Sequence, residues 1–225
     1  MGATAELGPR RLRSDARANR ERLLAAAGVA FAESGLGVGV DEIASRAGVG
    51  MGTLYRHFPS KDALIAAVFE QRLDELAGSA RQALAVADPW QGFCGLIEHI
   101  VELQHEDRGF KDVMAARFGD ERNAAAARAR VAPSIDLLIR RAQAAGALRA
   151  DIGYEDVSVL LWATGEVVAA TRDIAPGFWR RYVALVLDAL RAPGAAGEPP
   201  PLPGPPLTHG EHQRVVARFA RGRRP

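Results

Sequence analysis

The chain has 225 residues, 48% of them hydrophobic, which is enough for one large domain or two smaller ones that each bury a core. It has one cysteine, Cys94, no apolar leader in its polar first 20 residues and no apolar run that could cross a bilayer, so we expect a cytoplasmic protein without disulfides or membrane contact. The net charge of +2 divides into +3 for residues 1–61, −5 for 62–206 and +4 for 207–225, which favours a polyanionic partner at both ends of the chain.

Helical periodicity runs through nearly the whole chain and strand signals are almost absent, so the sequence predicts an all-α fold. Residues 1–13 are expected to form a disordered basic arm, after which Ser14 or Asp15 caps a first helix that ends at Gly35. Residues 193–206 are rich in proline and glycine and predict a linker without a fixed fold. The other helices are predicted at residues 40–47, 50–57, 61–87, 90–106, 109–118, 132–146, 154–173, 178–191 and 211–221.

Residues 43–58, IASRAGVGMGTLYRHF, have the composition of a helix-turn-helix. That motif needs a small residue where its helices cross, a turn residue that tolerates a positive φ, and apolar residues beneath the second helix. Ala44 suits the crossing and Gly48 suits the turn. The buried side is supplied by Ile43, Val49 and Leu54.

Burying Leu54 leaves the polar side chains of the second helix in an exposed arc, as in a recognition helix that enters the major groove of DNA. Hydroxyl and ammonium groups hold phosphate oxygens, guanidinium groups bond the O6 and N7 edge of guanine, and an apolar side chain touches a thymine methyl. Lys61 starts the next helix, where the helix dipole also favours a phosphate, and Gly50 and Gly52 let the backbone approach DNA closely. The side chains of the arc are Met51, Thr53, Tyr55 and Arg56, with His57 at its rim.

The run GVGVDEIASRAGVGMGTLYRHFPSKDALIAAV resembles the N-terminal DNA-binding domain of the TetR family of transcriptional regulators. The matching features are the Asp-Glu-Ile-Ala start, the Ala-Gly-Val turn, Gly-Thr-Leu-Tyr, and the Lys-Asp-x-Leu that opens a long helix. The resemblance is close over residues 17–70 and continues only as a helical pattern. After the arm at 1–13, the resemblance implies a three-helix helix-turn-helix domain at 14–60. A larger helical domain at 61–192 would bind the effector and form the dimer, with a linking helix at 61–87. A linker with a basic tail would follow at 193–225.

The resemblance also implies which residues contact an operator in double-stranded DNA. Many members have Ser at position 50 and Lys at 51, and Thr or Ser before the second helix, where this chain has Gly50, Met51 and Gly39. Each poorer cap costs about 0.5–1 kcal/mol. Together with Gly50, the positions implied to contact DNA are Met51, Gly52, Thr53, Tyr55, Arg56, His57 and Lys61.

The DNA-contact assignments have plainer alternatives. Tyr55 is otherwise a packed aromatic, Arg56 a solvated side chain and His57 a rim residue without a ligand. The basic arm either reaches the minor groove or forms a solvated tail, through Arg10, Arg11 and Arg13.

The helices predicted at 154–173 and 178–191 are apolar over more than the single stripe that one core contact requires. Two such helices from each of two copies would form a four-helix bundle, and a homodimer doubles the DNA site; the resemblance implies the same arrangement. An ordinary intrachain core is the alternative. The residues expected at the dimer interface are Leu160, Leu161, Thr164, Val168, Phe178, Tyr182 and Leu185.

The resemblance further implies a pocket for an unidentified small-molecule effector, although the residue types that line pockets also fill cores. Glu166 lies in the apolar run LLWATGEVVAA. A buried carboxylate needs a partner, so if Glu166 is buried it binds a cationic or hydrogen-bonding effector or pairs with an arginine across the dimer. Otherwise it points to solvent. His99 and His105 do not share a helix face, so neither a metal site nor a cofactor is expected. The candidate pocket residues are Trp90, Phe93, Cys94, Ile97, Phe110, Met114, Phe118, Trp162 and Glu166.

The helix-turn-helix pattern predicts a sequence-specific DNA-binding protein, and the resemblance implies a transcriptional regulator, a repressor that a small molecule releases from a pseudo-palindromic operator. The alternative is a DNA-binding regulator controlled by a protein partner. An enzyme is not expected, because the sequence has no nucleophile elbow, phosphate loop, paired carboxylates in a polar pocket or metal-spaced histidines.

Overall fold

The computed structural model describes residues 9–107, 121–195, 202 and 204–221, and the predicted helix at 109–118 lies outside them. Within these residues the only strand-like pairing is one antiparallel bridge between Leu148 and Arg191, so the all-α prediction is confirmed. None of the described helices has the length and apolar character to cross a membrane. The helices are α1 (Pro9–Ser34), α2 (Val40–Arg46), α3 (Met51–His57), α4 (Lys61–Leu84), α5 (Pro89–Glu106), α6 (Glu121–Ala144), α7 (Tyr154–Thr171), α8 (Phe178–Ala189) and α9 (His209–Arg221), with a 3-10 turn at Gly35–Gly37.

The first helix starts earlier than predicted. α1 begins at Pro9, so the expectation of a disordered arm through residue 13 and a cap at Ser14 or Asp15 is wrong for residues 9–13. Proline fits the first position of a helix because its missing N–H has no intrahelical partner there, and the arginines and leucine that follow are good helix formers. The predicted end is confirmed, since Gly35 follows α1 with a φ of 70°.

The prediction that Pro133 opens a helix is also wrong. α6 runs from Glu121 to Ala144 with Pro133 in its interior. An interior proline removes one backbone hydrogen bond and costs about 3 kcal/mol. The stretch before it, NAAAARARVA, is rich in alanine, the residue with the highest helix propensity, so the helix forms on both sides of the proline.

The chain divides into two compact units. Among the described residues, the first unit holds residues 9–72 and Asp107, and the second holds Leu73–Glu106 and the residues from 121 onward. The division lies inside α4, between Arg72 and Leu73, and not at the start of that helix between residues 60 and 61, where the sequence predicts a domain boundary. The first turns of α4 belong to the first unit with their buried side chains Leu64, Val68 and Phe69.

The first unit packs α1 against α2 and α3 around a small apolar core. Arg46 of α2 contributes polar links, donating to Glu33 of α1 and to Glu42 one turn earlier, both at 2.6 Å. Arg72 is ion-paired with Asp107. The core side chains are Leu23, Ala27, Ala30, Phe31, Val38, Ile43, Ala44, Ala47, Leu54 and Phe58.

The second unit is built around α5, which packs against α6, α7 and α8. Its buried positions recur at helical spacing, which explains why the sequence predicted this helix well. The loop after α6 is tied to the end of α8, because the Arg149 N–H donates to the Leu190 carbonyl and the Ala192 N–H donates to the Ala147 carbonyl, both at 3.0 Å. α5 buries Trp90, Gly92, Phe93, Leu96, Ile97, Ile100 and Val101.

Candidate DNA-binding surface

The turn between α2 and α3 is closed by two backbone hydrogen bonds. The Gly48 N–H donates to the Ser45 carbonyl at 3.1 Å, and the Val49 N–H donates to the Ala44 carbonyl at 3.0 Å. This pair of bonds defines a Schellman motif, which needs a left-handed residue in the turn. Gly48 has a φ of 64°, so the predicted turn residue is confirmed.

α3 buries one side chain and directs the others outward. Leu54 is 0% exposed, while Met51 and Tyr55 are 36% and 47% exposed. The predicted arc is therefore present on a helix held down by one apolar anchor, and its contact with DNA stays a prediction. The outward residues are Met51, Gly52, Tyr55 and Arg56, which are exposed, and Thr53 and His57, which are half-exposed.

Two glycines, the N-cap Gly50 and Gly52 in the first turn of α3, stand where the packing of the chain does not require glycine. Gly50 is the N-cap of α3 and, as predicted, provides no side-chain cap, and Gly39 plays the same part for α2. A Cβ placed on Gly50 or on Gly52 would meet no heavy atom within 4 Å. The free space in front of these two residues is therefore available to a docked molecule.

The start of α4 adds a cation next to α3. Ser60 caps this helix, because its Oγ accepts a hydrogen bond from the Ala63 N–H at 3.1 Å. Lys61 is half-exposed in the first turn, and within the described part of the chain its ammonium group has no ion-pair partner. A helix N-terminus and a free ammonium group together favour a bound anion.

Two arginines of α1 that are absent from the predicted DNA contacts lie beside the helix-turn-helix. The Arg20 guanidinium carbon is 5.2 Å from the centroid of the Phe58 ring, just after α3. An Arg22 guanidinium nitrogen is 3.8 Å from the position a Cβ would take on Gly48, in the turn before α3. Neither has a carboxylate partner among the described residues. Only the tertiary structure brings the two arginines to opposite ends of α3, so their spacing in the sequence does not indicate a role beside the helix-turn-helix.

Three of the predicted effector-pocket residues lie in the core of the second unit. Trp90, Phe93 and Ile97 are 7%, 0% and 6% exposed, and the rings of Trp90 and Phe93 stack with their centroids 5.9 Å apart. The Arg191 guanidinium carbon lies 4.7 Å from the Trp90 centroid. Core packing accounts for these positions. Phe110, Met114 and Phe118 lie outside the described residues.

The other pocket candidates are less enclosed. Cys94 is half-buried, and burial, assisted by the neighbouring carboxylate of Glu98, raises the pKa of its thiol to about 12. Trp162 is half-exposed on α7. Glu166 is exposed in the chain, so it is not the buried carboxylate that its apolar neighbours suggested, and its binding of an effector or of an arginine across a dimer stays a prediction.

A pocket of about 250 Å³ lies instead between α4 and α5, and it contains none of the predicted residues. The two helices approach closely there, since a Cβ on Gly92 would lie 2.6 Å from the Ala83 carbonyl oxygen. Among residues 9–107, 121–195 and 204–221, no group of three His, Cys, Asp or Glu side chains is placed to hold a metal ion. The pocket is lined by Ser79, Gln82, Ala83, Val86, Gln91, Gly92, Gly95, Leu96 and His99.

The predicted dimer residues divide into two groups. Thr164 and Val168 are 3% and 1% exposed, so their predicted place in an interface is wrong, and they belong to the core of the chain itself. They share the arc of α7 that faces α5, where the Gln104 side-chain amide donates to the Leu161 carbonyl at 3.3 Å and a Cβ on Gly165 would lie 3.2 Å from the Gln104 Oε1. The remaining residues are accessible: Leu185 is 46% exposed, and Leu160, Leu161, Phe178 and Tyr182 are half-exposed.

Two family models match the chain, one in each part. Residues 23–68 match the model described as bacterial regulatory proteins, tetR family. Residues 88–192 match the model described as the C-terminal domain of SbtR-like transcriptional regulators. The first match contains the C-terminal part of α1, all of α2 and α3 and the start of α4, and the second contains α5 to α8.

Curated relatives match mainly over the N-terminal part. The chain is 38% identical over 95 residues to the HTH-type transcriptional activator FasR of Mycolicibacterium smegmatis, which covers 41% of this chain and 43% of FasR. It is 42% identical over 64 residues to an HTH-type transcriptional regulator of Staphylococcus aureus, which covers 28% of this chain and 35% of that protein. The chain thus matches less than half the length of these relatives.

Solved structures match over most of the chain. A TetR transcription regulatory protein from Mycobacterium vanbaalenii is 37% identical with a TM-score of 0.57, over 80% of this chain and 99% of that one. A TetR transcriptional regulator from Streptomyces coelicolor is 31% identical with a TM-score of 0.60, over 77% of this chain and 98% of that one. The likeness therefore includes both compact units.

Proposed function

Because the chain belongs to the TetR family of bacterial regulatory proteins, we propose that it is a cytoplasmic transcriptional repressor that leaves a pseudo-palindromic operator when a small molecule binds its second unit. The observation that carries the DNA-binding part is the outward arc of α3, which presents hydrogen-bonding side chains from a helix anchored by the buried Leu54. Such a helix fits the major groove, where base edges are read.

The side chains of the arc have different roles in this proposal. Arg56 offers two parallel N–H donors to the O6 and N7 edge of a guanine, and Met51 offers an apolar contact to a thymine methyl. The hydroxyls of Thr53 and Tyr55 bond phosphate oxygens, which hold the helix in register. Gly52, with open space in front of it, lets the backbone of α3 approach the duplex.

Three cations around α3 complete the proposed surface. Lys61 at the start of α4, Arg20 beside Phe58 and Arg22 beside the turn at Gly48 each carry a charge that no carboxylate neutralises within the described residues. Phosphate contacts of this kind supply affinity and salt dependence without reading sequence. The same cations orient α3 on the duplex before any base is read.

The homodimer of this proposal is supported by apolar side chains that the second unit leaves exposed. Val159 of α7 is 67% exposed and Leu185 of α8 is 46% exposed. Large apolar side chains that stand outward on two adjacent helices favour burial against another surface. A two-fold dimer through α7 and α8 would present two copies of α3 to two half-sites, as a pseudo-palindrome requires.

The proposed effector site is the pocket between α4 and α5, because it is lined by the helix that leads to the DNA-binding surface. Its lining includes Ser79 and Gln82 of α4, and α4 is the helix that begins at Lys61. A ligand that prefers one position of α4 would therefore change the affinity for DNA, which is a coupling free energy between two sites. FasR is named an activator, so activation is the alternative to repression. A reporter assay distinguishes the two, because deletion of a repressor raises expression from its promoter, whereas deletion of an activator lowers it.

The proposal is tested by selecting bound duplexes from a random pool with the full-length chain and then titrating the selected site at several salt concentrations. We expect a two-fold symmetric consensus, and a log–log slope of affinity against salt that becomes shallower by about 0.9 for each phosphate contact removed. Lys61→Gln, Arg20→Gln and Arg22→Gln should weaken all duplexes equally. Arg56→Gln should instead cost about 1–3 kcal/mol at one base position.

Arg140→Gln is the matched control, because Arg140 is exposed on α6 of the second unit and has no ion pair in the described part of the chain. It should change neither the slope nor the consensus. A selection that enriches no consensus, together with an affinity that does not change with salt, would refute the proposal.

A further inference from the structure

The pocket between α4 and α5 has polar side chains at both ends of a narrow slot. On α5, Gln91, Gly95 and His99 recur at every fourth residue, so they lie in one column along the helix. Eight residues of helix rise by about 12 Å, so Gln91 and His99 stand at the two ends of the slot with Gly95 between them. Gln82 borders the same slot from α4.

The floor of the slot is built from small and apolar residues. A Cβ on Gly95 would meet no heavy atom within 4 Å, so the backbone of α5 is open to the pocket there. Ala83 and Leu96, which are 9% and 3% exposed, supply apolar surface beside it. At Gly92 the two helices are so close that a Cβ would lie 2.6 Å from the Ala83 carbonyl oxygen, which limits the depth of the pocket. A flat ring fits such a floor better than a branched chain does.

The polar side chains around the slot are free to bind a ligand. The side-chain amides of Gln82 and Gln91 and the ring of His99 are exposed and make no hydrogen bond within the part of the chain that the structure describes. Each amide places a donor next to an acceptor, and a neutral imidazole has one of each. Ser79 differs, because its hydroxyl donates to the Glu75 carbonyl at 3.1 Å.

The charge of the lining restricts the class of ligand. Of the residues that the structure describes, no Asp, Glu, Lys or Arg lines the pocket. A charged ligand would lose part of its hydration there without meeting an opposite charge. An uncharged amide loses little, because the glutamine side chains restore the hydrogen bonds that it made to water.

We infer that this pocket binds an uncharged, flat aromatic molecule that carries an amide group, with the ring over Gly95 and the amide against Gln91 and Gln82. The inference rests on the proposed function, for which it names the class of effector. An amide edge has an acceptor beside a donor, so it pairs with a glutamine side chain through two parallel hydrogen bonds. A rigid ring covers the apolar floor at little cost in conformational entropy.

The test is a titration of the full-length chain with nicotinamide, followed through the NMR signals of the Gly95 N–H and of the glutamine side-chain amides. Nicotinamide is an uncharged aromatic amide. Nicotinate has the same ring with an anionic carboxylate, and 3-acetylpyridine keeps the carbonyl but has no N–H donor. We expect saturable shifts with nicotinamide and a Kd of about 1 mM for so small a probe. Nicotinate and 3-acetylpyridine should each bind about fivefold more weakly, or worse.

Two variants show whether the probe occupies the slot. Gln91→Met keeps the length of the side chain without its amide and should weaken nicotinamide about fivefold. Gly95→Leu fills the slot from a position with open space around it, so the nicotinamide shifts should be lost. Gln213→Met is the matched control and should change nothing, because Gln213 is an exposed glutamine of α9 outside the pocket lining. Circular dichroism shows whether each variant is folded, and Gln91→Met decides the matter if Gly95→Leu is not.

The outcomes separate this inference from the proposed function. The ligand class is overturned if nicotinamide gives no saturable shift at Gly95, if nicotinate or 3-acetylpyridine binds as tightly, or if Gln91→Met binds nicotinamide unchanged. Operator binding by the free chain is measured separately and stands in each of these cases. If nicotinamide binds as expected but leaves operator affinity unchanged in a mobility-shift titration, the ligand class stands and the coupling in the proposed function fails.

Discussion

Replacing Gly92 with alanine tests how closely α4 and α5 pack beside the pocket. A Cβ at this position would lie 2.6 Å from the Ala83 carbonyl oxygen and 3.4 Å from side-chain atoms of Leu138 and Val86. A backbone carbonyl in the last turn of a helix cannot rotate away as a side chain can. The two helices would therefore have to separate to admit a methyl group.

The magnitude follows from two opposing effects. Alanine in place of glycine inside a helix stabilises by about 1 kcal/mol. Overpacking against fixed atoms costs about 3 kcal/mol, the upper part of the observed range, because the atom in contact is backbone. Gly92→Ala should thus lower the free energy of unfolding by about 2 kcal/mol.

Gly95 supplies the control on the same helix. A Cβ at Gly95 would meet nothing within 4 Å, so Gly95→Ala should raise the free energy of unfolding by about 1 kcal/mol. The difference between the two variants cancels the propensity effect and leaves about 3 kcal/mol of overpacking. Urea unfolding followed by circular dichroism measures both. Equal stability of the two variants would contradict the close approach of α4 and α5.

Three further predictions concern the DNA-binding unit and pH. Gly50→Ser should add the missing cap and raise the free energy of unfolding by about 0.3 kcal/mol, measured by urea unfolding. Leu54→Ala should cost about 2–5 kcal/mol, because it empties a fully buried site beneath α3, and operator binding should fall with it in a mobility-shift titration. Burial, with the positive charges of Arg172 and Arg180, lowers the pKa of His105 below its ordinary 6.5. The folded state then binds fewer protons than the unfolded state, so the free energy of unfolding should fall as the pH drops below about 6.5, and His105→Gln should reduce that fall in urea melts.

The helix-turn-helix was predictable because its determinants are local. The turn glycine Gly48, the anchor Leu54 and the cap Ser60 lie within a few residues of one another, and each acts through its own backbone or a neighbouring turn. Such features can be recognised in the sequence without knowledge of the rest of the fold. The same reasoning explains the correct end of α1 at Gly35.

The errors arose where distant contacts or competing propensities decide the structure. α7 is apolar around most of its circumference, so its sequence does not reveal which arc meets α5, and Thr164 and Val168 were placed on the wrong side. Pro133 was given more weight than the alanine-rich stretch before it. Arg20 and Arg22 gain their position from α1 packing against the rest of the first unit, which no short pattern in the chain encodes.

The single cysteine makes the molecule convenient for labelling. With a thiol pKa of about 12, Cys94 is almost entirely protonated near neutral pH, and the thiol form reacts poorly with maleimides. A cysteine introduced at Val159, where the side chain is 67% exposed, would be open to solvent and should react first. Fluorophores or spin labels can therefore be attached at one chosen cysteine without first removing the native thiol, and distances between labels would test the proposed dimer.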